Sequence, residues 1–165
     1  MSLAVRDAVA WDWPDIWAFA RPILAAGETY TVDRAISLGA ARDWWMVEPP
    51  GCNFVAVLDD RVVGSARLVR NQGGGGSHVA NASFLVDPAA SGRGVGRALG
   101  EHVLAAARAE GFRAMQFNAV VETNAAAVRL WTSLGFAILT TVPEAFDHPR
   151  HGLVGLHVMH RRLEG

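Results

Sequence analysis

The pattern of apolar and polar positions changes period twice along the chain. Near the N-terminus, Trp11, Trp13, Ile16, Trp17 and Phe19 recur at helical spacing, with Asp12 placed to cap and Pro14 early in the turn. This predicts a helix over 13–26. A second helix is predicted over 33–46, opened by Thr31 or Asp33. The period then falls to two. Phe54–Leu58, the Asp59-Asp60 turn and Arg61–Arg70 form a hairpin pattern. Four consecutive glycines within Gln72–Ser77 mark a flexible loop. A third strand, His78–Val86, stops at Asp87-Pro88, where proline pushes the preceding residue out of the helical region.

Helical spacing returns over Gly94–Glu110, with Val95, Leu99, Val103 and Ala106 on one face. Ala114–Val121 is the next strand, and Asn124–Leu134 the next helix, with Gly135 at its C′ position. Phe136–Val142 and Leu153–His160 are the last strands, joined by a loop that holds Pro143, Asp147, His148, Pro149, Arg150 and His151. An antiparallel meander followed by strand–helix–strand–helix–strand implies an α/β fold. Its sheet is mixed and includes at least one parallel crossover.

Composition narrows this to one soluble domain. A chain of 165 residues fits a single unit, taken as residues 4–163. Met1-Ser2-Leu3 and Glu164-Gly165 resemble expression-vector residues. With 51% apolar and 19% charged residues, a disordered chain is excluded. Cys52 has no intrachain partner, so a disulfide scaffold is excluded as well. A net charge of −1 argues against a general nucleic-acid or anionic-membrane surface. No apolar run is long enough to span a membrane. Arg6, Asp7 and Asp12 make the N-terminus a poor signal peptide, so a cytoplasmic location is expected.

The chemistry-bearing segment is Ser91-Gly92-Arg93-Gly94-Val95-Gly96-Arg97, between a strand and a long helix. Its glycines allow backbone amides to turn inward, and the first amides of the helix carry partial positive charge. Together they form an anion cradle of the size of a pyrophosphate. Arg93 and Arg97 are placed to add charge-assisted contacts. The alternative is a structural turn with a helix cap. All fifteen basic residues are arginines, which rules out a phosphate loop ending in Gly-Lys-Ser/Thr. Arg97 stands where a dinucleotide fingerprint needs its third glycine.

This turn resembles the acyl-CoA-binding motif of the GNAT acetyltransferase superfamily, Gln/Arg-x-x-Gly-x-Gly/Ala. The family's second signature follows about thirty residues later, as Asn124-Ala125-Ala126-Ala127-Val128-Arg129-Leu130-Trp131-Thr132-Ser133-Leu134-Gly135-Phe136. The resemblance implies a splayed sheet, with acetyl-CoA entering between the strands that end at Val86 and start at Ala114. It implies that Phe84, Leu85 and Val86 hold the pantetheine arm by strand addition. Ser91 and Gly92–Arg97 would hold the pyrophosphate, and Asn124 would reach the pantetheine or thioester. Two positions depart from the pattern. Ser91 replaces the usual Gln or Arg. Trp131 stands where many members carry a tyrosine that protonates the leaving thiolate, and an indole N–H has no accessible proton to lose. Tyr30 is the sole tyrosine. Either Tyr30 substitutes as the acid, or water does, or none is needed.

Ser77–Val86 and Phe117–Asn124 further resemble a fungal subset of this family that acetylates azetidine-2-carboxylate, a proline analogue. Trp131 fits that subset. The likeness implies that Asn81 and Asn118 surround the acceptor. Residue by residue, Asn118 is expected to share a strand face with Val120 and Glu122. A mid-strand asparagine needs partners, either an acceptor carboxylate or carbonyl, or neighbouring backbone. Asn124 also fits a helix N-cap. Tyr30 and Glu28 are placed near the acceptor, and Glu28, Glu122 and His78 are the candidate proton acceptors. The histidines at 148, 151, 157 and 160 lack a Cys or carboxylate to complete a metal set, so no metal is expected. The tryptophans at 11, 13, 17, 44 and 45 are assigned to the core or to the lining of a substrate pocket.

The expected function is direct acetyl transfer from acetyl-CoA to a small-molecule amine, with a cyclic imino acid placed first. An antibiotic, polyamine or protein N-terminal amine, or non-catalytic acyl-CoA sensing, are the alternatives. If segment 153–160 lies at a sheet edge, it offers a route to a homodimer.

Overall fold

The strand and helix patterns resolve into seven strands and four α-helices in the computed structural model, which describes residues 2–163. In chain order these are β1 (Leu3–Asp7), α1 (Trp13–Ala26), α2 (Leu38–Trp45), β2 (Cys52–Leu58), β3 (Arg61–Arg70), β4 (Val79–Val86), α3 (Val95–Ala109), β5 (Ala114–Val121), α4 (Ala125–Ser133), β6 (Ala137–His148) and β7 (Gly152–Arg162). The strands form one sheet in the order β1-β2-β3-β4-β5-β7-β6. Every neighbouring pair is antiparallel except β4 and β5, which the α3 crossover makes parallel. No helix among the described residues is long and apolar enough to cross a membrane.

Alternation along the strands sorts side chains onto two faces. Ala66, Leu68, Ala80 and Ala82 pack with α3, whose Val95, Leu99 and Val103 are buried against them. Val55 and Leu85 face the other way and pack with Trp13, Ile16, Phe19 and Trp45 of α1 and α2. Trp45 and Ser65 form one paired polar chain on this second face. The indole of the buried Trp45 donates to Ser65 Oγ at 2.8 Å, and Ser65 Oγ donates to the Phe54 carbonyl at 2.9 Å.

The structure departs from the sequence expectation at five places. Leu3–Asp7, to which the pattern assigns no element, form β1, with Leu3 paired to Leu58 across the sheet. Of the residues that resemble vector residues, Met1, Glu164 and Gly165 lie outside the described residues. α2 begins at Leu38 rather than at 33, because Ser37 Oγ accepts the Ala40 N–H, while Asp33 closes a local turn by accepting the Ala35 N–H. β6 continues through Pro143 to His148, which is tolerable because β6 is an edge strand. β7 lies between β5 and β6, so segment 153–160 is interior and has no free edge for a partner. Finally, the register of β5 shifts between Phe117 and Val120. This bulge turns Val120 to the core face of Met115 and Phe117, so Asn118 and Val120 do not share a face.

Candidate active site

The site begins where the parallel pair fails. β4 and β5 are paired only at Val79–Ala114 and Ala80–Met115, and beyond these residues the strands part. Asn71 N–H donates to the Val79 carbonyl and Asp87 N–H donates to the Val63 carbonyl, so odd-numbered residues of β4 turn their backbone to β3. By alternation, Ala82, Phe84 and Val86 turn theirs into the gap. Of the three residues assigned to strand addition, Phe84 and Val86 therefore offer backbone groups. Leu85 is in register with Ser65, turns its backbone to β3 and packs its side chain into the apolar core, while also lining the cavity.

The gap opens into a cavity of about 710 Å³. Phe84, Val86, Ser91, Gly92, Gly94, Val95, Gly96 and Asn124 line it, together with Tyr30, Asn81 and Asn118. Arg93, Arg97 and Glu28 do not. Arg97 is turned to α4, where Nη2 donates to Ser133 Oγ at 2.6 Å, and it also pairs with Glu101 at 3.6 Å. Glu28 pairs with Arg150 at 3.0 Å, tying the end of α1 to the β6–β7 turn. Glu122 accepts the Gly155 N–H at 2.5 Å, and His78 is exposed at the start of β4. The three candidate proton acceptors are thus outside the cavity, whose ionisable side chains are Tyr30 and Arg67 alone.

The glycine turn has the form of a cradle. Gly92 and Gly94 adopt φ of +77° and +79°, a conformation that other residues enter at a cost. A Cβ at either would meet nothing within 4 Å, so the concavity is open. Gly94 caps α3 and has no side chain over the helix amides, which leaves them facing the cavity mouth. Across the gap, Asn124 caps α4, its Oδ1 accepting the Ala127 N–H at 3.3 Å. Its amide NH2 is left to face the cavity.

Aromatic residues form the floor. Trp131 is buried between Phe84 and Phe117, with ring centroids 4.6 and 4.9 Å away. It is a packing element under the gap. Tyr30 stands at the other side, edge-on to Trp44 at 5.7 Å. Its hydroxyl donates to the Phe84 carbonyl and accepts the Phe84 N–H at 3.1 Å. Burial pushes the Tyr30 phenol well above its ordinary range, against the Phe84 hydrogen bond and the Arg67 charge, which act in the opposite sense. Asn118 is exposed at the rim. Its Nδ2 donates to Asn71 Oδ1 at 2.7 Å, and its Oδ1 accepts from Gln116 Nε2 at 3.0 Å. Asn81 makes no side-chain hydrogen bond among the described residues. Of the tryptophans, Trp13 and Trp45 are core, Trp44 lines the cavity, and Trp11 is 79% exposed.

One charged lining residue has no counterpart in the sequence expectation. Arg67, in the middle of β3, reaches the cavity beside Trp44. It is the only ionisable residue between Val62 and Val69, and that isolation within an apolar strand is the feature that could have marked it.

Residues 12–136 match the model of the acetyltransferase (GNAT) family. The chain belongs to that family. The chain is 28% identical over 134 residues to N-acetyltransferase aca1 of Schizosaccharomyces pombe. The match covers 72% of the chain and spans 64% of the length of that protein. A GCN5-related N-acetyltransferase from Kribbella flavida is 56% identical and superposes with a TM-score of 0.94, with 97% of each chain covered. A phosphinothricin acetyltransferase from Sinorhizobium meliloti, solved in complex with acetyl-CoA, shares the fold at 23% identity and a TM-score of 0.86, over 98% of this chain and 89% of that one. The chain accordingly has the splayed, mixed sheet of its family.

Proposed function

We propose that the protein transfers acetyl directly from acetyl-CoA to a small-molecule amine, with a cyclic imino acid such as a proline analogue as the leading acceptor. The observation that carries the co-substrate is the unpaired edge of β4, continuous with the open glycine cradle. A pantetheine arm added along β4 would pair with the backbone of Ala82, Phe84 and Val86. The pyrophosphate would sit on the amides from Gly92 to Gly96, with Ser91 beside them. Asn124 would present its amide to the arm from α4.

The chemistry supplied by the bound thioester is an acyl carbon open to attack by a neutral amine. The N–C bond forms, the C–S bond breaks, and the amine's proton passes to solvent or to the departing thiolate. The protein's part is placement. The Phe84 N–H, which donates to the Tyr30 hydroxyl in the free protein, is the donor best placed for a developing oxyanion once that hydroxyl yields it. Tyr30 keeps its proton at working pH and acts as a hydrogen-bonding group at that edge. With no carboxylate or histidine in the lining, water is the proton acceptor for the amine. Asn81 and Asn118 supply amides at the acceptor side.

The test is thiol release from acetyl-CoA with a panel of azetidine-2-carboxylate, proline, other amino acids, polyamines and an aminoglycoside. Release confined to cyclic imino acids is the expected result. Release with another amine would keep acetyl transfer and discard the acceptor, and none at all would discard the reading.

A further inference from the structure

Arg67 presents a charge that the protein itself does not balance. It lies opposite Ser83 in the β3–β4 ladder, on the face of Ser65 and Leu85 that α1 and α2 cover. Its Nε is buried with no hydrogen-bond partner, and its guanidinium forms no hydrogen bond or ion pair among the described residues. The nearest compensation is the Trp44 ring, 5.9 Å from Cζ. Burial lowers the Arg67 pKa from its ordinary value, with the Tyr30 phenol acting against it, yet a guanidinium stays charged at any working pH. Arg6, Arg97 and Arg150 each meet a carboxylate, whereas Arg67 does not.

Arg67 is half-buried, with Nε enclosed; a partly desolvated cation without a partner is costly, and an apolar side chain of equal reach would relieve that cost. The cavity lining contains no Asp or Glu, so the missing anion is not supplied from within. The pyrophosphate cradle does not supply it either. Gly92–Gly96 lead into α3, on the opposite face of the sheet, beyond the end of β4. The counter-ion must therefore arrive with the acceptor, on the face where Asn81 and Ser83 also point.

We propose that Arg67 anchors a carboxylate of the acceptor, which makes the acceptor a small amino or imino acid. This rests on the acetyl-transfer reading above. The planar fork of the guanidinium accepts a carboxylate through two parallel N–H···O bonds, which fixes orientation as well as position. Trp44 backs the fork, and Asn81 Nδ2 is free to donate beside it. The same charge excludes polyamines, which would bring further cations to a lining without acids.

The test compares proline with prolinamide, and azetidine-2-carboxylate with its amide, in wild type, Arg67→Met and Arg67→Lys. The wild type is expected to prefer each acid over its amide. Arg67→Met is expected to lose that preference, with kcat/KM for the acid falling about 10- to 100-fold, chiefly through KM. Arg67→Lys should recover part of it. Arg67→Met should also melt at or above the wild-type temperature, because it removes an uncompensated charge, whereas a structural role would lower Tm. Equal turnover of acids and amides by wild type, or an unchanged preference in Arg67→Met, overturns the anchor and leaves acetyl transfer standing. If no amine is turned over, thermal shift with cyclopentanecarboxylate decides. A shift in wild type but not in Arg67→Met supports the anchor while the acetyl-transfer reading fails, and no shift overturns both.

Discussion

The Tyr30 hydroxyl hydrogen-bonds both the carbonyl and the N–H of Phe84, in the segment of β4 that has parted from β5. One phenol thus occupies the backbone groups that an added pantetheine would use. Tyr30→Phe should cost about 0.5–1.5 kcal/mol of stability in the free protein, the worth of a lost neutral hydrogen bond. The loss should shrink when acetyl-CoA is bound, because the ligand then satisfies Phe84. Denaturant titrations with and without acetyl-CoA measure both. The same variant addresses proton transfer. Burial holds the phenol protonated, so the pH–rate profile between about 6 and 9 should keep its shape in Tyr30→Phe. Loss of a limb would identify Tyr30 as a proton donor after all.

Gly94→Val tests the cradle. At φ +79° a β-branched residue pays roughly 1–3 kcal/mol of backbone strain, and its Cβ would project into space that is otherwise open. Calorimetry should show acetyl-CoA affinity reduced at least about tenfold, because the side chain would take up space the pyrophosphate needs. Unchanged affinity would remove the pyrophosphate assignment.

The cradle was legible in the sequence because its determinants are local. Two glycines at fixed spacing between a strand and a helix dictate the turn whatever surrounds them. Gly27 and Gly135, with φ of +67° and +89°, end their helices for the same reason. β1 was not legible. Its partner is β2, more than forty residues away, and five residues of weak alternation carry no marker of that pairing. Pro143 hid the second half of β6, since only an edge position makes a proline compatible with a strand. Arg67 was hidden for a different reason. β3 carries Arg61, Arg67 and Arg70, and nothing in the residue type tells a solvated guanidinium from a desolvated one. That difference arises only when α2 lays Trp44 over it.

Asp12 is a case of correct position and altered role. It precedes α1 as a cap residue should, yet its carboxylate makes no bond to the helix amides. It accepts two hydrogen bonds from Arg6, at 2.8 and 2.9 Å, and one from the Val9 N–H at 2.8 Å. The Arg6 hydrogen bond holds the Asp12 pKa below the ordinary carboxylate value, outweighing the burial that opposes it. A depressed folded-state pKa adds stability that is complete above the unfolded value of about 3.9 and lost as pH falls through the folded one. Asp12 is 4% exposed, so its loss is felt. Asp12→Asn should cost about 1.5–3 kcal/mol at pH 7, and the gap to wild type should begin to narrow as pH falls below about 4. Urea unfolding at pH 7 and pH 3 measures it, and a gap as wide at pH 3 as at pH 7 would refute the linkage.

Asn118 stands at the rim with its amide only partly committed, one Nδ2 proton going to Asn71 and Oδ1 to Gln116. The second Nδ2 proton is free for an acceptor oxygen. The bulge in β5 turns Val120 into the core without altering the side of the sheet on which Gln116 and Asn118 meet. Asn118→Ala should therefore lower kcat/KM on the true acceptor by roughly tenfold or more, as expected for a donor to a charged oxygen. Acetyl-CoA affinity should hold, because no cradle residue touches this side chain. Asn71→Ala gives the control. It removes the group that aims Asn118 but not the donor itself, so its effect should be smaller and reside in KM. Equal losses in both variants would assign the effect to the shape of the rim, and wild-type kcat/KM in Asn118→Ala would end its role at the acceptor.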